Sequence, residues 1–142
     1  MNQLSAYISF EGNAEEAMSF YANVFQTELS VIMRWGENPQ CEAFSDEDKH
    51  KVMHTHLAVG NTAVLASDHL SSFGMPYTPG NNFAIAVAPD SRAEADRIFK
   101  ELSDDGTTTM PMTDMFWGGY FGSLTDKYGV QWMLNYDTSQ DK

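Results

Sequence analysis

The chain has 142 residues, with 20 acidic side chains against 8 basic ones and a net charge of −12. Nucleic acid and anionic membrane surfaces are polyanions, so that charge argues against both as partners. A hydrophobic fraction of 42% and an aromatic fraction of 13% suffice for a core and exclude wholesale disorder. The single cysteine, Cys41, excludes an internal disulfide and any paired-cysteine metal motif. The opening residues carry no basic region followed by an apolar run, so no secretory signal is expected. No apolar stretch is long enough to span a bilayer, and a cytoplasmic protein is the expectation.

Tyr7 to Phe10 reads as a short strand that ends in the turn Glu11-Gly12-Asn13. Asn13 suits an N-cap, with Glu15 and Glu16 at the positive end of the helix dipole. Ala17, Phe20, Tyr21, Val24 and Phe25 then recur at helical spacing. Glu28 to Trp35 is rich in β-formers, and 36–51 reads as a polar loop. Val52 to Val59 and Thr62 to Ser67 are strands joined by Gly60-Asn61, a two-residue hairpin signal. Residues 69–81, with Ser, Gly and Pro and no periodicity, read as a linker.

The pattern then restarts. Asn82 to Val87 is a predicted strand. Ser91 and Glu94 form a capping box for a helix whose apolar stripe is Ala95, Ile98, Phe99 and Leu102. Asp105-Gly106 ends that helix, with Gly106 suited to the left-handed position. Thr107 to Met110, Phe116 to Leu124 and Gln131 to Asn135 are further strands. The order strand–helix–strands therefore occurs twice, in modules 1–68 and 82–137 of a single 1–142 domain. Each helix has one apolar face and covers one side of a sheet. The expected class is α+β: two βαβββ modules forming a curved mixed sheet, helices on its convex face, with a concave cup for a ligand.

Several residues carry candidate chemistry. His54 and His56 lie two apart on a strand and share a face, which is a chelating arrangement for zinc or nickel. The competing reading is two strand histidines making hydrogen bonds, since the sequence shows no third ligand. Trp117 and Tyr120 flank Gly118-Gly119 and suit either the wall of an apolar pocket or a core. Arg34 could meet an anionic ligand or be a solvated strand-end charge. Trp132 is expected to face the helices, and Asp126 reads as a turn residue. No Ser/His/Asp or Cys/His grouping argues for nucleophilic catalysis, and no catalytic residue is assigned.

The run Glu15-Glu16-Ala17, Phe20-Tyr21 and Phe25 combines with Met53-His54, Ser67-Asp68, Gly80-Asn81-Asn82, Met110-Pro111 and Phe116-Trp117-Gly118. The series closes on Asp126-Lys127-Tyr128-Gly129-Val130-Gln131-Trp132. In this order it resembles the PhnB-like branch of the glyoxalase/bleomycin-resistance/dioxygenase superfamily over nearly the whole chain. The superfamily holds lyases, isomerases, dioxygenases and drug-sequestering proteins, so the resemblance implies a fold more firmly than an activity. It implies a divalent metal held by His, Gln or Glu on the concave face. Registered by helix and final turn, those positions fall on Ala6, Val64, Asn82 and Met133, a set that lacks suitable donors, so no metal or other cofactor is expected. The resemblance also implies a homodimer. Some relatives carry a ubiquinone-methylation label, which the absence of a glycine-rich strand-to-helix turn for a nucleotide-like methyl donor argues against. The expected function is binding of a small apolar or aromatic molecule in the cup. Its wall would comprise Trp117, Tyr120, His54, His56, Arg34, Asn82 and Met133. The alternative is a metal-dependent lyase or dioxygenase using His54 and His56.

Overall fold

The computed structural model describes residues 1–141 and divides into two compact units, Met1–Thr78 and one that begins at Pro79. Each unit is a βαβββ module with a four-stranded mixed sheet, and the class is α+β.

In the first unit, β1 (Ala6–Phe10) leads into α1 (Ala14–Val24) and then β2 (Leu29–Arg34), β3 (Val52–Val59) and β4 (Thr62–Asp68). The sheet order is β1-β4-β3-β2, with β1 parallel to β4 and the other pairs antiparallel. Side chains alternate across a strand. Phe10, Leu57, Val64 and Ala66 therefore face α1, whose Ala14, Ala17, Met18, Tyr21 and Val24 are fully buried.

The start of α1 is held from a distance. Asn13 occupies the N-cap position but makes no side-chain cap hydrogen bond. The Asp68 carboxylate takes that part. Its Oδ1 accepts from the backbone N–H of Gly12 at 3.1 Å and of Ala14 at 2.9 Å. Its Oδ2 accepts from Val52 N–H, the first residue of β3, at 2.8 Å.

Two segments read as irregular are more ordered than expected. Residues 36–51 hold two short 3₁₀ turns and α2 (Asp46–His50), capped by Ser45 Oγ. Residues 69–78 belong to the first unit. Leu70 is fully buried, and Phe73 packs edge-on against Trp35 at 5.3 Å between centroids. Phe44 closes this small aromatic cluster. These apolar anchors are isolated among polar neighbours, so no periodicity revealed them.

In the second unit, β5 (Ile85–Val87) precedes α3 (Arg92–Ser103), β6 (Thr107–Asp114), β7 (Gly119–Thr125) and β8 (Gln131–Asp137). The order β5-β8-β7-β6 repeats that of the first sheet. Only 85–87 of the expected strand 82–87 is regular. Ser91 Oγ caps α3 by accepting from Glu94 N–H, as the capping box requires, while the Glu94 carboxylate takes the N–H of Asp90. Past the helix, Asp105 adopts the left-handed conformation (φ 57°), and Gly106 does not. Glycine is needed at 106 for a different reason: a Cβ there would collide with the Thr125 carbonyl.

Replacing Asp68 with Ala leaves three backbone donors of the first unit without their acceptor. Asp68→Ala is expected to lose about 3–4 kcal/mol of unfolding free energy. Urea denaturation checks this; a loss below about 1 kcal/mol would show that the junction is held by other contacts.

Candidate functional site: the open sheet faces

Because one helix covers one face of each sheet, the opposite faces present side chains outward. In the first unit these are Tyr7 and Ser9 of β1, Leu65 and Ser67 of β4, His54 and His56 of β3, and Val31 and Met33 of β2. Tyr7, Val31 and Met33 are exposed. His54 lies beside Tyr7, with ring centroids 6.1 Å apart. His56 Nδ1 is 3.2 Å from Ser30 Oγ.

In the second unit the same alternation turns Trp132, Leu134 and Tyr136 inward and Gln131, Met133 and Asn135 outward. Met133 is opposite Ser123, and Asn135 is opposite Phe121. A cavity of about 320 Å³ opens on this face. Phe83, Ala84, Leu124, Trp132 and Met133 supply its apolar surface. Asn81, Asn82, Thr109, Ser123, Thr125 and Gln131 supply neutral polar groups. No charged residue lines it. Gln131 Nε2 donates to the Phe83 carbonyl at 2.6 Å, which fixes the irregular 81–84 segment against β8. Thr109 and Ser123 hydroxyls are 2.7 Å apart across β6 and β7.

The expected site residues separate into distinct places. Asn82 and Met133 come together in this cavity, and His54 and His56 share the open face of the other unit. Trp117 is half-exposed and lies over Gly119, edge-on to Phe121 at 6.1 Å; it does not line the cavity. Tyr120 is not a wall residue of the open face. It points to the helix side, donates its hydroxyl to Asp96 of α3 at 2.6 Å and lies under the Arg92 guanidinium. The hydrogen bond to Asp96, then burial, raises its pKa. Arg34 is likewise committed elsewhere. It pairs with Glu15 of α1 at 2.8 Å and donates to the His50 carbonyl at 3.0 Å, in a polar cleft that also includes Glu11, Glu47 and Lys51. Phe83 and Gln131 were missed as site residues. Gln131 was legible two positions before Met133, once Trp132 is assigned inward.

Ala6 and Val64 pair with each other, but on the helix side, with Val64 buried beside Leu57. The register that set them at metal positions is therefore one residue out of phase with the face. Their outward neighbours are Tyr7 and Leu65. In the second unit Met133 faces outward with a thioether, and Gln131 Nε2 is engaged by the Phe83 carbonyl. Ala6, Val64 and Met133 supply no oxygen or nitrogen side-chain donor to such a site. Among the described residues no three His, Cys, Asp or Glu side chains are grouped to hold a metal ion. Asp68 and Asp126 are both buried and fully engaged in structure. Asp126 accepts from the N–H groups of Tyr128 and Val130 and from the Trp132 indole.

The family model described as 3-demethylubiquinone-9 3-methyltransferase matches residues 2–135. The chain belongs to that family. It is 36% identical to protein PA1353 from Pseudomonas aeruginosa, over 95% of this chain and 97% of that one, with a TM-score of 0.85. A PhnB protein from Bacillus cereus is 28% identical over 94% and 98%, with a TM-score of 0.74. A glyoxalase/bleomycin resistance protein/dioxygenase family enzyme from Burkholderia phytofirmans shares the fold, with a TM-score of 0.65 and 15% identity over 94% and 96%. The chain is thus PhnB-like, with the glyoxalase/bleomycin-resistance fold. No helix among the described residues is long and apolar enough to cross a membrane.

On the helix side of the second unit, Arg92 binds Asp114 at 2.7 Å and Asp141 at 2.9 Å. The Arg92 hydrogen bond holds the Asp114 carboxyl below its ordinary value of 3.8. A carboxyl lowered in the folded state stabilises above its unfolded pKa, and that contribution is lost as pH falls through the folded one. Arg92→Gln should therefore raise the Asp114 titration toward 3.8. Carboxyl-carbon NMR reads it; an unmoved titration would show that Arg92 does not set it.

Proposed function

We propose that this chain binds a small, uncharged molecule with a planar apolar or aromatic body on the open face of its second sheet. One observation carries the reading: the cavity at Asn82, Phe83 and Met133 is built from apolar and neutral polar groups in a chain of net charge −12. Its volume of about 320 Å³ suits a one- or two-ring molecule. Phe83 and Met133 supply apolar contact, and the flexible thioether adapts to the ring it meets. Asn82, Ser123 and Thr109 offer hydrogen bonds at one side, which orient the ligand more than they tighten it.

The family's description names methylation of a demethylubiquinone, a molecule with a planar ring. Methyl transfer would also need a donor site. The β1–α1 turn has Gly12 as its one glycine, and the β5–α3 turn, Ala88-Pro89-Asp90-Ser91, has none. Neither offers the glycine-rich cradle on which a nucleotide-like donor rests. Binding is therefore the function proposed here, and methylation is not.

The proposal includes a homodimer. Each sheet ends in edge strands, β1 and β2 in the first and β5 and β6 in the second, and pairing with another chain covers such edges. Sedimentation at micromolar concentration should give twice the 15.9 kDa chain mass. A species of single-chain mass alone would remove this part.

Neutral bicyclic aromatics such as 1-naphthol should raise the melting temperature of the full chain, since a ligand that binds only the folded state stabilises it. Phe83→Ala should weaken that binding by about 1–3 kcal/mol, and Met133→Glu should abolish it. Trp117→Ala, outside the cavity, should change it by less than about 0.5 kcal/mol. Equal loss in Trp117→Ala and Phe83→Ala would move the site away from the cavity.

A further inference from the structure

The first unit carries a second feature, independent of the cavity. His54 and His56 alternate on β3, so both rings stand on the open face, with Cα atoms roughly 7 Å apart along the strand. The sequence showed no third ligand for them. The strand register supplies one: Met33 of β2 is the direct cross-strand partner of His54, on the same face and exposed. Directly opposed residues in an antiparallel pair have Cα atoms about 4.5–5.5 Å apart. A long, flexible thioether side chain there can turn toward either imidazole.

The state of the two rings fits this use. No hydrogen bond of the His54 side chain is among those of the described residues; its neighbour is the Tyr7 ring. His56 has one nitrogen engaged: Nδ1 meets Ser30 Oγ at 3.2 Å, and the same hydroxyl donates to the His56 carbonyl. That is how a metal-binding imidazole is oriented, with one nitrogen tied to the protein and Nε2 left outward. β3 lies between β2 and β4 in the sheet, so the donors stand on paired strands and not on a mobile loop.

We propose that His54, His56 and Met33 form a binding site for monovalent copper on the open face of the first sheet. Two imidazoles with one thioether are a soft three-donor set, which favours Cu(I) over the hard divalent ions that carboxylates hold. This site uses none of Ala6, Val64, Asn82 and Met133, the positions to which the superfamily resemblance points. It includes no carboxylate, and binding alone is assigned to it.

The test is Cu(I) competition with a chromophoric chelator, under reductant and without oxygen, on the full chain. Wild type should bind one Cu(I), and X-ray absorption should show two nitrogen donors and one sulfur. His54→Asn and His56→Asn should each weaken binding by at least about tenfold. Met33→Leu should weaken Cu(I) by about tenfold yet leave Ni(II) binding to the histidine pair unchanged, a difference that a purely structural role for Met33 would not produce. All three side chains are at least partly exposed, and matching circular dichroism would show that each variant folds. Cys41→Ser serves as the control for the buried thiol, the softest competing donor. The proposal is overturned by wild-type affinity in the His54→Asn/His56→Asn double variant. It is equally overturned by loss of Cu(I) binding in Cys41→Ser, or by a Met33→Leu variant that binds Cu(I) as wild type does.

Discussion

The Asp68 carboxylate is the contact on which the rest of the first unit depends. It is buried, and its oxygens accept three backbone N–H groups: from the β1–α1 turn, the first residue of α1 and the first residue of β3. A buried polar group is tolerated only when hydrogen bonds replace the water it has lost, and this one has three. Because Asp68 points to the helix side, Val64 and Ala66 do too, and Leu65 and Ser67 must face outward. One carboxylate thereby fixes both the start of the helix and the phase of the sheet. The second unit uses a related device. Asp126 binds the turn N–H groups and the Trp132 indole, which draws Trp132 inward and leaves Met133 to face outward.

The phase of the sheet decides what a ligand can meet. A one-residue slip in β8 would exchange Met133 for Trp132 on the open face and bury Gln131. The correct phase leaves a neutral surface in a strongly acidic protein, and that contrast underlies the functional reading. It also keeps the two candidate sites chemically distinct. The cavity of the second unit has no charged or imidazole group, whereas the open face of the first has two imidazoles and a thioether.

Much of the fold was legible because local signals agreed with it. The helices followed from apolar spacing, the first hairpin from Gly60-Asn61, and the Ser91 cap from a capping-box motif of which the structure keeps the serine half, Glu94 accepting from Asp90 instead. Trp132 was placed correctly by alternation along a well-bounded strand. The errors came where information is long-range. Asn13 looked like the helix cap, but the capping oxygen belongs to Asp68, 54 residues from Ala14. Ala6 and Val64 were assigned to the wrong face because β1 is short and its phase is set by Phe10 and by pairing with β4. Tyr120 is adjacent to Gly119 and looked like part of a pocket, yet one step along a strand reverses the face, and Asp96 with Arg92 holds it on the helix side. Met33 could not be connected to His54 without the β2–β3 register, which contains two irregularities.

Methyl NMR of the nine methionines during titration with 1-naphthol reads whether a neutral ligand occupies the open face of the second sheet. The Met133 methyl should shift in a saturable manner, and the Met33 methyl should not move. Saturable shifts confined to other methionines, with Met133 unchanged, would contradict that occupancy.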